Sequence, residues 1–270
     1  MRQVVYSPAA DRLVYLHQQA TPEFWDEHWR TQGKPPPVSP RDDVIVVTRK
    51  HLPAGARVLE GGCGRANKVK ALADAGFAAV GIDFAADAVA QAQVHYPGLD
   101  VRQGDVRSLD FADGSFDGYW SIGVIEHFWD GYDEILAEAA RVIRPDGFLF
   151  LTAPWFSPYR RFKASRQGYP TADFATEPEL FYQFALARED VSTRLARHGF
   201  ELLSWRGRVS EISMREDMTS CRRQIDWLLG SRGSIIKRAL RIAVARSLDS
   251  YCGHSFLAVG RRVGSRSAAG

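Results

Sequence analysis

Residues 57–68 read RVLEGGCGRANK, and the ligand that this turn can accept decides how the chain around it is organised. A short apolar run ends in an acid, Glu60. Gly61, Gly62 and Gly64 then surround Cys63, and Arg65-Ala66-Asn67 follow. Glycines after a strand permit a tight turn and a close approach of the backbone to a ligand. In the register of a dinucleotide fingerprint the stretch reads Gly62-x-Gly64-x-x-Asn67, and its last position fits poorly. A carboxylate two residues before Gly62 would also face a diphosphate unfavourably, which disfavours a nicotinamide oxidoreductase. A phosphate loop ends in Gly-Lys-Ser/Thr, and none stands in this stretch.

Working outward, ANKVKALADAG (66–76) has the pattern of a helix stopped by Gly76, and AAVGID (78–83) that of a buried strand. AADAVAQAQVHY (85–96) reads as a helix ended by Pro97-Gly98, and LDVRQGD (99–105) as a third strand. This is βαβαβ, the doubly wound pattern. FDGYWSIG (116–123) continues it as a fourth strand. YDEILAEAARVI (132–143) follows as a helix closed by Arg144-Pro145-Asp146-Gly147, then FLFLTAP (148–154) as a fifth strand. REDVSTRLARHGF (188–200), ELLSWRGR (201–208) and HSFLAVGRR (254–262) complete the alternation. Upstream, TPEFWDEHWR (21–30) is an amphipathic helix with Thr21 as cap and Pro22 at its first position. Ser39 can cap a second helix from Pro40, against the strand-like VIVV at 44–47.

At 270 residues and 45% hydrophobic, the chain can bury a full core as one elaborated domain. No run approaches the ~18 apolar residues of a membrane span, and the N-terminus lacks the apolar core of a signal peptide, so a cytoplasmic protein is expected. Cys63, Cys221 and Cys252 are scattered and without CxxC spacing, which suggests neither disulfides nor structural zinc. The net charge of +3 is too small to imply nucleic acid, yet Arg232, Lys237, Arg238, Arg241 and Arg246 fall between Ser231 and Ser247 with no acid among them.

The acid before the glycines suits a ligand that carries positive charge and no phosphate, and S-adenosylmethionine, with its α-ammonium and sulfonium, is such a ligand. VLEGGCG resembles the first motif of the class I S-adenosylmethionine-dependent methyltransferases, of the small-molecule, type 11-like kind. VGIDFAADAV resembles their second motif, RQGDVRSLDFADGSFDGYWSIGVIEHF their Gly-Asp adenine corner and fourth strand, and LAEAARVIRPDGFLFLTAP their following helix, turn and fifth strand. The four segments appear in the family's order and spacing, which makes the set far more specific than a lone glycine motif. The resemblance implies a Rossmann-like α/β fold, a seven-stranded mostly parallel sheet with the last strand antiparallel. It implies a cofactor-binding core over 55–154, and the residues on either side read as an N-terminal helical lid over 1–54 and a substrate cap over 155–186. The C-terminal part of the same fold then spans 187–262, with a basic amphipathic helix inserted near 211–250, and 263–270 form a disordered tail.

Residue by residue, the resemblance implies that Glu60 lies near the methionine ammonium and that Gly61, Gly62, Cys63 and Gly64 lie against the cofactor. Asp83 would accept the ribose hydroxyls, as a strand-end carboxylate can. Phe84 would flank the adenine, Asp105 accept its amine, the Val106 N–H face a ring nitrogen, and Ser121 and Ile122 line the floor. Against each stands a plainer role: Asp83 could only cap the helix at Ala85, and Cys63 could only pack. Ala66 stands where the family commonly has a third glycine, and alanine is expected to start the helix there without strain.

Methyl transfer from a sulfonium is an in-line displacement that positioning and desolvation can carry, so a base is optional. His127 is the candidate, since a neutral imidazole after the fourth strand can take a hydroxyl proton; it can equally pack the following loop. Relatives that hold a metal carry Glu-x-x-Glu-His; here the first of those glutamates is Gly123, and no metal is expected. The aromatic and basic residues after the fifth strand suggest a cap for an acceptor with apolar and anionic parts, with Trp155, Tyr159, Arg160 and Tyr182 as substrate contacts and Trp25 and Trp29 as a lid. Within the insertion, Ile235, Ile236, Ala239, Leu240, Ala243 and Val244 form a stripe beside Lys237, Arg238 and Arg241. It reads as a docked surface helix or as a peripheral attachment to anionic membrane. The expected function is methyl transfer to a small-molecule, glycan or lipid-linked acceptor, oxygen favoured. The alternatives are an RNA methyltransferase and a catalytically silent cofactor-fold module.

Overall fold

The computed structural model describes residues 3–31, 37–218, 222–229 and 235–264. The chain opens with a hairpin, β1 (Gln3–Ser7) and β2 (Arg12–Leu16), not with a helix. This corrects the expectation of an all-helical N-terminal segment. The signal was local: two runs rich in valine and tyrosine flank Ser7-Pro8-Ala9-Ala10-Asp11, a cluster of turn formers. α1 (Pro22–Thr31) follows, with the Thr21 hydroxyl accepting the Phe24 N–H at 3.2 Å. α2 spans Asp43–His51 and is capped by Asp42, whose carboxylate accepts the Val44 N–H, whereas Ser39 sits in the turn before it. A charged acceptor at Asp42 is the better N-cap and sets the start.

The core then runs β3 (Arg57–Gly61), α3 (Asn67–Asp74), β4 (Ala78–Asp83), α4 (Ala86–His95), β5 (Asp100–Gln103), β6 (Phe116–Ile122), α5 (Asp133–Val142) and β7 (Ile143–Pro154). After α6 (Pro158–Ser165) and β8 (Phe181–Ala185) come α7 (Arg188–Arg197) and β9 (Phe200–Arg208). α8 (Ser210–Asp217), α9 (Arg222–Leu229) and α10 (Ile235–Cys252) form the insertion before β10 (Ser255–Arg262). The main sheet has the order β5-β4-β3-β6-β7-β10-β9. β3 to β7 are parallel, and β10 runs antiparallel between β7 and β9. β8 lies outside this sheet and pairs with β2, which makes a second, three-stranded sheet from the amino-terminal hairpin and a strand of the segment after β7.

Alternate side chains of the parallel strands feed two cores, as the two-residue period of a strand requires. Leu59, Tyr119 and Leu149 face α5 and α7, while Val58, Trp120 and Phe150 face α2, α3 and α4. The Trp120 indole donates to Thr48 Oγ1 at 2.9 Å, which satisfies its one polar atom and fastens α2 to β6.

The helix of the insertion is present, but the side chains of Ile235 to Arg241, including Lys237 and Arg238, lie outside the described residues. So do Arg232, Cys221 and the tail from residue 265. Of the expected stripe, Ala243 is exposed and Val244 half-buried. Among the described residues no helix is long and apolar enough to cross a membrane.

Candidate active site

Each parallel strand brings its C-terminal end to the same sheet edge, and there β3, β4 and β6 border a cleft of about 640 Å³. Glu60, Gly62, Cys63, Gly64, Asp83, Phe84, Asp105, Val106, Ile122 and His127 all line it. The turn after β3 is fastened to β4: the N–H groups of Gly62 and Cys63 donate to the Ile82 carbonyl at 2.8 and 3.0 Å. The Gly64 N–H donates to Asp83 Oδ2 at 2.6 Å, and Oδ1 accepts the Ala85 N–H at 2.9 Å. Asp83 thus opens α4 and holds the glycine turn. Each of its oxygens keeps a lone pair for a further donor. Burial raises its pKa against those two backbone bonds.

Glu60 is 3% exposed, and its Oε2 has no hydrogen-bond partner. Desolvation, opposed by the charge on Lys68, pushes its pKa up to about 8. Lys68 is held by Asp42 at 2.6 Å. Asp105 is clamped by Arg107, whose guanidinium comes to 2.6 Å and whose backbone N–H also donates to it. The side-chain bond from Arg107, ahead of burial in the opposite sense, holds the Asp105 pKa below the usual range. Asp83 and Asp105 balance Lys68 and Arg107 around the cleft, so ionisation of Glu60 beside an incoming cation gives the lining a net negative charge.

α1 closes one side. Trp29 lies so near the turn that a Cβ on Gly64 would come within 2.7 Å of its ring, and Arg65 sits over the same indole at 5.5 Å. Arg30 pairs with Asp87 at 2.8 Å and Asp26 accepts the Asp87 N–H, which pins α1 to the start of α4. Gly62 is needed for the protein's own packing as well, since a Cβ there would overlap the Val124 side chain. The strain-free start expected at Ala66 is not found. Its φ of 58° is left-handed, which costs an alanine roughly 1–2 kcal/mol. Complete burial of its methyl group returns about 0.8 kcal/mol of that.

His127 follows a short turn, Ile125–His127, at the end of β6. Its Nδ1 donates to the Tyr182 carbonyl at 2.6 Å, a partner that fixes the tautomer and leaves Nε2 as an acceptor. Trp25 meets its ring edge-on at 5.2 Å. Desolvation, only partly opposed by the Tyr182 bond, lowers the imidazole to about 4.

Not every expected residue reaches the cleft. Gly61 faces the Tyr119 hydroxyl beneath it, and Ser121 is 1% exposed in the strand. Arg160, expected at the substrate, is wholly buried: it meets Asp217 at 2.8 Å and donates to the carbonyls of Trp155 and His254. Tyr159 leans toward Tyr251 and the Asp217 carbonyl, and Trp155 lines a different cavity toward β9. These three are set aside as cleft contacts: residues of the insertion draw Arg160 and Tyr159 away, and Trp155 packs on Trp205 of β9. Tyr182 stands behind His127, 5.0 Å between ring centres. Sequence reasoning passed over Lys68, Arg107, Val124 and Phe128, which line the cleft without any motif chemistry to mark them.

The residues fit the cofactor that the resemblance implies. A buried carboxylate oxygen without a partner and a second carboxylate with spare lone pairs form a donor set for an ammonium and a diol, not for a diphosphate.

A family model described as a methyltransferase domain matches residues 59–151. A probable S-adenosylmethionine-dependent methyltransferase of Mycolicibacterium smegmatis is 35% identical over 123 residues, 44% of this chain and 48% of that protein. A fatty-acid O-methyltransferase of the same organism is 34% identical over 102 residues, 36% of this chain and 37% of its own. The chain thus spans about half or less of the length of these curated relatives. Among solved structures, a methyltransferase from Methanosarcina mazei superimposes with a TM-score of 0.55 at 17% identity, over 84% of this chain and 99% of its own, a likeness of fold alone. Residues 59–151 are therefore similar to a methyltransferase domain, and the sheet has the Rossmann-like fold of solved methyltransferases. Outside the matched residues lie, among others, the N-terminal hairpin with α1, the segment from α6 to β8, and the α8–α10 insertion.

Proposed function

We propose that the protein transfers a methyl group from S-adenosylmethionine to a hydroxyl oxygen of an apolar small-molecule or lipid acceptor. The observation that carries the cofactor is Glu60, a buried acid whose free oxygen has no protein partner. The cofactor supplies an electrophilic methyl group on a sulfonium. Glu60 holds the ammonium, Asp83 the ribose hydroxyls, and Phe84 and Val106 flank the base. Trp25 and Trp29 exclude water over the cleft, and His127 Nε2 takes the acceptor's proton. The aromatic wall around His127 and the relative that methylates fatty acids support an apolar acceptor.

Calorimetry with S-adenosylhomocysteine tests the reading. Asp83→Ala is expected to weaken binding at least tenfold, about 1.5 kcal/mol, by removing a charged acceptor for two hydroxyls. No binding by the wild type at millimolar concentration would refute the proposal.

Glu60 adds a pH signature. An ammonium beside it lowers a pKa that stands at about 8 without one, so binding near neutrality must release a proton. Affinity for S-adenosylhomocysteine should rise roughly threefold to tenfold from pH 6.5 to 7.5, and Glu60→Gln should bind weakly and flatten the profile. A wild-type affinity independent of pH across that unit would remove Glu60 from the ammonium site.

A further inference from the structure

The insertion builds a second cavity, of about 760 Å³, at the same sheet edge but toward β9. Its size is in the range of sites for small ligands. Trp155 and Trp205 meet edge-to-face at 5.9 Å and give it an apolar side. Four arginines line it against two acids, a surplus of two positive charges. Two of the arginines are engaged: Arg161 pairs with Asp11 and Glu189 at 2.6 and 3.2 Å, and Arg206 with Asp43 at 2.6 Å. Asp249, the other acid, is occupied by the Ser210 N–H at 3.0 Å. The Arg188 guanidinium lies 6.0 Å from the Trp205 ring centre, and among the described residues neither it nor Arg246 has an acid within ion-pair reach.

We propose that this cavity is a second binding site, for a phosphate-bearing molecule with an apolar portion. The phosphate lies between Arg188 of α7 and Arg246 of α10, with the apolar part over Trp155 and Trp205. Planar guanidinium forks match phosphate oxygens two at a time, and a phosphate dianion balances the charge surplus of the lining. A cavity with apolar walls and uncompensated charge at its rim focuses its field on such a ligand. The site exists because the insertion folds back: α10 brings Arg246 to the cavity that Arg188 of α7 also lines. Its ligand is either a free phosphorylated metabolite or the headgroup of a phospholipid at a membrane surface, and both present the same chemistry.

The test uses the full chain and does not depend on methyl transfer. Inorganic pyrophosphate should bind saturably, one per chain, in calorimetry. The double variant Arg188→Ala/Arg246→Ala should bind it at least about tenfold more weakly with an unchanged unfolding midpoint, since both side chains are exposed. Flotation with phosphatidylcholine vesicles, with and without phosphatidic acid, separates the sources. Association with the acidic vesicles that pyrophosphate competes away and the double variant lacks assigns a lipid headgroup; pyrophosphate binding without flotation assigns a soluble ligand. No saturable pyrophosphate binding at millimolar concentration, or binding undiminished in the double variant, would overturn the proposal.

Discussion

Asp217→Ala is expected to lower the unfolding free energy by about 3–5 kcal/mol, the cost of leaving a buried charge without its partner. Arg160 is fully buried, and Asp217, itself 7% exposed, faces its Nε at 2.8 Å. The same carboxylate accepts the Tyr169 hydroxyl at 2.6 Å and lies 3.3 Å from Lys163. Burial alone would raise the Asp217 pKa, but the guanidinium overrides it and holds the carboxyl below its ordinary value. Glu216, at 3.6 Å and more exposed, can compensate only in part. The loss is a large share of the roughly 5–15 kcal/mol that holds a domain folded. Urea denaturation measures it, and a change below about 1 kcal/mol would show that the pair is not a fastening between α6 and the insertion. The double change Arg160→Met/Asp217→Leu, which removes both charges, should cost much less than the single one.

His127→Asn is expected to lower kcat about 100-fold or more for a hydroxyl acceptor, with S-adenosylhomocysteine affinity within about twofold of the wild type. In the proposed reaction the neutral imidazole would be the base, and it exists above its pKa. Burial puts that pKa at about 4, so the wild-type kcat, measured at saturating cofactor, should be flat from pH 8 down to about 5 and fall below it. An unperturbed imidazole would instead titrate near neutrality, and nothing in the local sequence announces the burial. A fatty-acid carboxylate is already ionised and needs no base, so it serves as the control acceptor. Near-wild-type turnover of a hydroxyl acceptor by the variant would return His127 to a packing role.

The core from 55 to 154 was legible because its information is local: buried runs of strand length, amphipathic helices, and glycine or proline at each boundary. The departures share a cause. Leu13 pairs with Ala185 across the whole core, and no nearby residue marks that ladder. Arg160, in a stretch of aromatic and basic residues, has the look of a ligand handle; its inward course is dictated by Asp217, a residue of the insertion. At the site the order of the motifs led to a shared cleft, yet Gly61 and Ser121 lie under it. Motif spacing fixes the strand but not which of two adjacent residues faces the opening. At Ala66 the comparison with a glycine position was itself the clue to a left-handed backbone, and the usual tolerance of alanine at helix starts pointed the other way.

The small sheet of β1, β2 and β8 has a mechanical consequence. β8 carries Tyr182, whose carbonyl orients His127, and its ladder to β2 ties that carbonyl to the first residues of the chain. Displacing the wall behind the imidazole therefore means either breaking interstrand hydrogen bonds or carrying the amino-terminal hairpin along as one rigid plate. The beginning of the sequence, remote from every cofactor motif, becomes a lever on the proton acceptor, and a bulky fusion placed there acts on the acceptor side of the cleft rather than on the cofactor.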